Sequence, residues 1–370
     1  MKNWLRHSGR LAPPHNDSIA DGLTGATPGS SFRGALPPRL RLPRMALGLR
    51  VLNILIVSPG SLHNGNASSA LRWASELSDL GHEVRIASEW ESENVDLLVA
   101  LNAEKSHHTV AQCHNHGQTP VVVALTGTDL YPSLSPNSLS SLQMADRIVV
   151  YQDKALAHLP EHHQTKARII PLSAPDHPAL RGSNHRSGND FLVCVVGHLR
   201  AVKDPMRTAR ASRLLPPTSR IRVLHAGSIL EGQFAAEVER EEAENPRYKW
   251  LGPLETEEAL RLIASSSLFA LTSLQEGGGC AMNEAAAAQI PIVASRNDAS
   301  TSLLGENYPG LFPFGDTEAL SILLHRGESE PHFCSQLLEN AASHLRNYRG
   351  ASRNGTWSSI LEELFPSASV

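Results

Sequence analysis

Val51-Leu52-Asn53-Ile54-Leu55-Ile56-Val57 is a nearly continuous apolar run, closed by the turn signal Ser58-Pro59-Gly60. A strand apolar on both faces must be covered on both, the condition of a strand inside a parallel sheet with helices on either side. The residues that follow suit a covering helix. Over 68–80, Leu71, Ala74, Leu77 and Leu80 recur at helical spacing, and Gly81 supplies a C-terminal stop. Short β-rich runs return at 84–87, 95–101, 121–125 and 148–151, separated by segments long enough for crossover helices. Repeated strand–helix–strand units predict an α/β fold with a doubly wound parallel sheet, whose ligands bind beyond the carboxyl ends of its strands.

The pattern then breaks and restarts. Residues 171–190 are rich in Pro, Ser, Gly, Asn and His without strand periodicity, as an interdomain linker would be, and 191–196 (FLVCVV) opens a second series at 221–226, 248–251, 268–272 and 292–295. The expected organisation is a front lobe over 51–175, a rear lobe over 190–350, and a C-terminal helix and tail over 351–370. Segments 331–346 and 356–364 read as helices able to pack back across the lobes.

Composition fits this plan. The chain has 370 residues, 41% hydrophobic and 19% charged, enough for two separate cores. No apolar run approaches the roughly 20 residues of a membrane-spanning helix. Cys113, Cys194, Cys280 and Cys334 lie far apart with no CxxC pair, which points away from a disulfide framework or zinc site and towards a reducing cytoplasmic location. Residues 1–50 hold 8 Lys/Arg against 2 Asp/Glu, whereas the remainder holds 25 against 35, a balance of −10 that disfavours nucleic acid as a partner. The first 50 residues carry Pro13, Pro14, Pro28, Pro37, Pro38 and Pro43 without sustained periodicity and are expected to be disordered. Met45, just before the first strand, is the expected true start of translation, which would make the preceding residues an extension.

The strongest chemical signal is Glu276-Gly277-Gly278-Gly279-Cys280-Ala281-Met282-Asn283-Glu284, after the strand over 268–272 and before an alanine-rich helix expected over 285–289. Glycines allow close backbone approach to a ligand, and free N–H groups at a helix start favour an anion. A carboxylate eight residues after the first suits a neutral, hydroxyl-rich group such as a ribose. An ordinary glycine turn with two solvated glutamates is the competing reading.

The Glu-x7-Glu pattern, together with Gly197-His198-Leu199-Arg200-Ala201-Val202-Lys203 at the start of the same lobe, resembles the retaining GT-B glycosyltransferases of family 4. The resemblance implies two Rossmann-like lobes facing a cleft, with the nucleotide sugar on the rear lobe and the acceptor on the front lobe. It implies that Glu284 contacts the donor ribose and Glu276 the transferred sugar, that Gly277 and Gly278 offer backbone N–H groups, and that Lys203 binds the diphosphate. His198 stands where that family usually has arginine and Arg200 lies two residues on, so either supplies the second charge. Fixed cations there would stabilise the departing diphosphate, making Lys203, Arg200 and Glu276 the expected catalytic set. No Asp-x-Asp occurs in the chain, and neither metal nor cofactor is expected beyond the donor substrate.

The front lobe narrows the resemblance. Leu125-Thr126-Gly127-Thr128-Asp129-Leu130-Tyr131 places hydroxyls, an acid and a glycine at a strand end. With Gly65-Asn66, Arg72-Trp73, Gly81-His82, Tyr151-Gln152, Leu159-Pro160, NPRYKWLG at 245–252 and LGENYPG at 304–310, it is similar to the selenosugar synthase group of the selenoneine pathway over nearly all of 51–365. That similarity implies transfer of a hexose or N-acetylhexosamine from a UDP-sugar to selenophosphate. Gly65, Asn66, Arg72, Lys105, Thr126 and Asp129 are the expected acceptor contacts, with surface charge and a plain turn as the ordinary alternative.

There are three departures, two of them in the acceptor half. The group's Gly-Asn-Arg is Gly65-Asn66-Ala67 here, its Leu-His-Ala-Arg-Arg-Ser is Leu101-Asn102-Ala103-Glu104-Lys105-Ser106, and its Glu-Gly-Gly-Ala-Asn is Glu276-Gly277-Gly278-Gly279-Cys280. Two arginine charges and a histidine are thereby lost, the third arginine being replaced by Lys105, which leaves open a different acceptor, a UDP-sugar epimerase or a noncatalytic nucleotide-sugar binder. A dinucleotide-binding dehydrogenase fits poorly, since the loop after the first strand lacks GxGxxG. Cys280, at a helix start, reads either as a reactive thiol or as a small buried residue. Trp73, Trp90 and Trp250 read as core.

Overall fold

In the computed structural model the described residues are 50–60, 65–117, 119–174, 177–180, 189–351 and 356–366. The expectations for residues 1–49, and for 61–64, 175–176 and 181–188 in the first loop and the linker, lie outside them. Six parallel strands build the front sheet: β1 (Asn53–Val57), β2 (Glu83–Ala87), β3 (Leu97–Leu101), β4 (Val121–Ala124), β5 (Arg147–Val150) and β6 (Ala167–Ile169), in the order β2-β1-β3-β4-β5-β6. Six more build the rear sheet: β7 (Phe191–Val196), β8 (Ile221–Ala226), β9 (Tyr248–Gly252), β10 (Leu268–Leu271), β11 (Ile292–Ser295) and β12 (Leu311–Phe312), in the order β12-β11-β10-β7-β8-β9. The fold is α/β, two lobes each made of a doubly wound parallel sheet.

The apolar runs became the strands because a parallel interior strand is buried on both sides. Every residue of β3 and of β4 is buried, and β1 is buried from Ile54 onward. Side chains of the front sheet alternate between two cores: Leu55, Val57, Leu98 and Val123 enter one, and Ile54, Ile56, Leu97 and Val122 enter the other. A third core fills the rear lobe. Residues 49–370 form a single compact unit.

The C-terminal segments follow the expected course. Helix Pro331–Ala351 inserts Phe333 and Leu337 into the rear core, whereas helix Trp357–Leu364 buries Trp357, Ile360 and Leu361 against the front sheet. Trp357 meets Trp73 edge-on at 5.1 Å, and Glu363 pairs with Arg147 at 2.6 Å and Arg168 at 2.8 Å. Burying two indoles outweighs the half-exposed ion pairs as an anchor. A polar seam joins the lobes elsewhere: Lys154 donates to Thr301 at 2.7 Å, and Ser302 to Asp153 at 2.5 Å and to Gln152 at 3.0 Å.

Strand order fixes where ligands can enter. In each sheet the chain moves outward from its first strand and then returns to the other side of it, so connections diverge on either side of one crevice, between β1 and β3 in front and between β7 and β10 behind. The loops leaving β7 and β10 carry Lys203 and Glu276.

Candidate functional site

The two rear loops are stitched together before any ligand is considered. Thr272 donates its hydroxyl to the carbonyls of Lys203 at 2.9 Å and Asp204 at 3.0 Å, and the N–H of Leu274 donates to Val202 at 2.8 Å. The 3-10 turn Ala201–Lys203 ends at Asp204 in a left-handed conformation, φ 42°. These constraints bring Lys203 Nζ to 2.5 Å from Glu276 Oε1, and Ser273 donates to the same oxygen at 2.6 Å. A small cleft lies between the loops, with Gly197, His198, Lys203, His225 and Glu276 among its walls.

His225 holds the floor of this cleft. It is 1% exposed on β8; its Nε2 lies 3.1 Å from the carbonyl of Gly197 and its Nδ1 3.1 Å from the hydroxyl of Tyr248. A carbonyl can only accept, so Nε2 carries the proton and Nδ1 accepts from the tyrosine. Burial pushes the imidazole down to about 4, which keeps it neutral in this role. Sequence reading passed over His225; its one signal is a polar residue inside the apolar run Ile221-Arg222-Val223-Leu224-His225-Ala226.

His198 and Arg200 are separated by the structure. His198 is half-buried, lines the cleft and accepts the N–H of Ser228 on Nδ1 at 3.1 Å. Arg200 caps the following turn, is not among the residues lining the cleft, and has a buried Nε without a hydrogen-bond partner among the described residues.

The glycine corner has a different neighbour from the one its sequence suggests. Thr126 and Gly127 of the front lobe press against Glu276 and Gly277: a Cβ on Gly277 would fall 2.1 Å from the carbonyl oxygen of Thr126, and one on Gly127 would fall 2.9 Å from the nitrogen of Gly277. A Cβ on Gly278 would fall 2.7 Å from Leu172 and 2.8 Å from Tyr151. Glycine is required here because two backbones touch across the lobes.

The following helix starts at Cys280, five residues before its expected start, so Glu284 sits within it rather than ahead of it. Glu284 Oε1 receives a hydrogen bond from Arg72 of the front lobe at 2.6 Å, the two side chains being 13% and 9% exposed. Burial raises the Glu284 carboxyl, and the adjacent Arg72 opposes that rise. Arg72 also donates to the carbonyl of Ser173 at 2.5 Å. Arg72, expected among the acceptor contacts, makes both these bonds within the protein, to Glu284 and to the connecting segment. Cys280 is no activated thiol, since burial pushes it up.

Asp129, also expected among the acceptor contacts, is 3% exposed and accepts the N–H groups of Ala103 at 2.7 Å, Thr126 at 2.9 Å and Gly127 at 3.0 Å, which organises the loop. Thr126 accepts from Asn102 at 3.0 Å, tying the loops after β3 and β4 together. Lys105 is exposed on the turn after β3. Gly65 and Asn66 open helix Gly65–Asp79, Gly65 exposed and Asn66 half-buried. Among the described residues no group of three or more His, Cys, Asp or Glu side chains is placed to hold a metal, and no helix is long and apolar enough to cross a membrane.

Residues 176–344 match the family model of the glycosyl transferases group 1. The chain is 23% identical over 324 residues to glycosyltransferase 1 domain-containing protein 1 of Xenopus tropicalis, covering 80% of this chain and 93% of that protein. Among solved structures, a glycosyltransferase of Rickettsia africae superimposes with a TM-score of 0.67 at 13% identity, over 86% of this chain and 100% of that one. Anabaena HepE, solved in complex with UDP and glucose, gives 0.64 at 16% identity, over 84% and 100%. The fold is therefore GT-B. Residues of its rear half match the group 1 glycosyl transferase model, and Lys203, Glu276 and Glu284 all fall inside the matched residues.

Proposed function

We propose that this chain is a glycosyltransferase that takes a hexose or N-acetylhexosamine from a UDP-sugar held by the rear lobe. The observation that carries the reading is the convergence of Lys203 and Glu276, 73 residues apart in sequence, to 2.5 Å at the rear switch point. A cation on the loop after β7 can hold a diphosphate, and a carboxylate on the loop after β10 can accept hydroxyls of the sugar attached to it. Glu284, on the helix that begins at Cys280 just after the Glu276 loop, is assigned to the ribose. Either His198 or Arg200 supplies a further contact to the phosphates, and the position of His198 on the cleft wall favours it. The relative solved with UDP and glucose shares the fold and supports this donor class.

The acceptor is assigned from the resemblance to selenosugar synthases: a small anion, selenophosphate. In that reaction the bond from sugar C1 to the diphosphate oxygen breaks, its electron pair leaving with UDP, while a selenium lone pair forms the new bond to C1. Water then takes the phosphoryl group, leaving a selenol and inorganic phosphate. With Arg72 and Asp129 turned inward, the front-lobe candidates that face outward are Lys105, Asn66 and Gly65. The test is to incubate the full chain with UDP-N-acetylglucosamine and either selenophosphate or phosphate, following UDP release and the product mass. A selenium-containing sugar supports the assignment. UDP release with phosphate alone moves the acceptor elsewhere, and no release with any acceptor while UDP still binds would select a noncatalytic binder.

A further inference from the structure

Arg72 is held more tightly than a surface arginine needs to be. It lies on the front-lobe helix Gly65–Asp79, yet its two hydrogen bonds run to the carbonyl of Ser173 at 2.5 Å and across the lobe boundary to Glu284 at 2.6 Å. Ser173 in turn donates its hydroxyl to Glu76, one helical turn beyond Arg72, at 3.1 Å. The guanidinium is thus fixed between the connecting segment and the rear-lobe helix that carries Glu284, with only 9% of the side chain exposed. A planar guanidinium clamped in this way has one orientation to offer its partner, which an acceptor-binding side chain that must release product would not.

We propose that Arg72 is a positioning residue for donor binding: reaching from the front lobe, it sets the rotamer and keeps the charge of Glu284, so that the ribose site is complete only when the lobes are closed. This rests on the reading of Glu284 given above. A lone carboxylate buried at this point would be pushed toward its neutral form, and a neutral carboxyl accepts ribose hydroxyls poorly. The groups facing Glu284 are Arg72 from the front helix and, on its own helix, Cys280; Glu276 and Lys203 act on Cys280 from the neighbouring loop. Arg72 is the one of these bonded to Glu284, and Glu76 on the other side of Arg72 feels it as well. The close packing of Gly127 on Gly277 gives the same closure a second, independent contact beside the site.

The test is calorimetric titration of UDP into the wild-type chain, Glu284→Ala, Arg72→Gln and Arg72→Lys between pH 6 and pH 8, with inorganic phosphate titrated in the presence of UDP as a probe of the anion side. Arg72→Gln is expected to weaken UDP about tenfold at pH 8, and further as the pH falls, because without the guanidinium Glu284 takes up its proton at higher pH. Arg72→Lys should recover part of the affinity and most of the pH independence, and phosphate affinity should match wild type. Lys also serves if Arg72→Gln does not fold. The inference is overturned if Glu284→Ala loses UDP affinity while both Arg72 variants bind UDP as wild type does across the pH range, or if phosphate binding alone is lost. If Glu284→Ala binds UDP as wild type does, the ribose assignment itself fails, and the role of Arg72 with it.

Discussion

Lys203 Nζ and Glu276 Oε1 lie 2.5 Å apart, each on the loop that leaves one of the two central strands of the rear sheet, so the site's cation and carboxylate compensate each other before a donor arrives. With side chains 21% and 9% exposed, neither is fully hydrated. Under the proposed function, a diphosphate that takes over Lys203 would displace Glu276 and free its carboxylate for the sugar.

That exchange separates binding from transfer. Glu276→Gln keeps the shape of the side chain and removes its claim on Lys203, so UDP is predicted to bind as tightly as in wild type or a few-fold tighter. Transfer is predicted to fall by at least about tenfold, because the sugar loses a charged acceptor. Calorimetry and initial rates on one preparation check both halves, and loss of UDP affinity would contradict the exchange.

Closure can be tested through the glycine corner. A methyl group on Gly277 would overlap the carbonyl of Thr126, with 2.1 Å between them. Gly277→Ala is predicted to hold the lobes apart, lowering transfer while leaving the rear core intact. Amide exchange should rise at 126–127 and 276–278 and stay unchanged in β7 and β10. Faster exchange throughout the rear sheet would mean general destabilisation.

His225 predicts an acid limit on stability. Its pKa falls from 6.5 to about 4 on folding, so the unfolded chain binds that proton more readily. The neutral histidine's contribution is present in full above pH 6.5 and is lost as the pH falls through about 4, a total of roughly 3 kcal/mol. Urea unfolding of wild type and His225→Gln between pH 4 and pH 7.5 checks this. The variant should be the weaker protein at pH 7.5, with the gap narrowing toward pH 4; a gap independent of pH would show that the imidazole titrates alike in the folded and unfolded chain.

The main frame was legible because burial on both faces leaves an apolar signature: the residues of β7, β8 and β11 are those expected, and those of β1 to β5, β9 and β10 differ only at the ends. β6 and β12 escaped notice because edge strands of three and two residues, Ala167–Ile169 and Leu311–Phe312, have no room to show a pattern. The loops that carry Lys203 and Glu276 stand out from local residue types alone. The three N–H bonds of Asp129 were not legible, because a carboxylate at a strand end looks the same whether or not backbone groups surround it. Nor was the bond from Arg72 to Glu284, whose partners are 212 residues apart, since no spacing rule links a front-lobe helix to a rear-lobe one.

The most direct measurement is the titration of UDP into wild type and Lys203→Ala. Saturable binding by wild type, weakened at least about tenfold in the variant, is the expected result for a lysine that holds the diphosphate. Equal affinity in the two proteins, or none in wild type, would contradict a nucleotide-sugar site between the loops that follow β7 and β10.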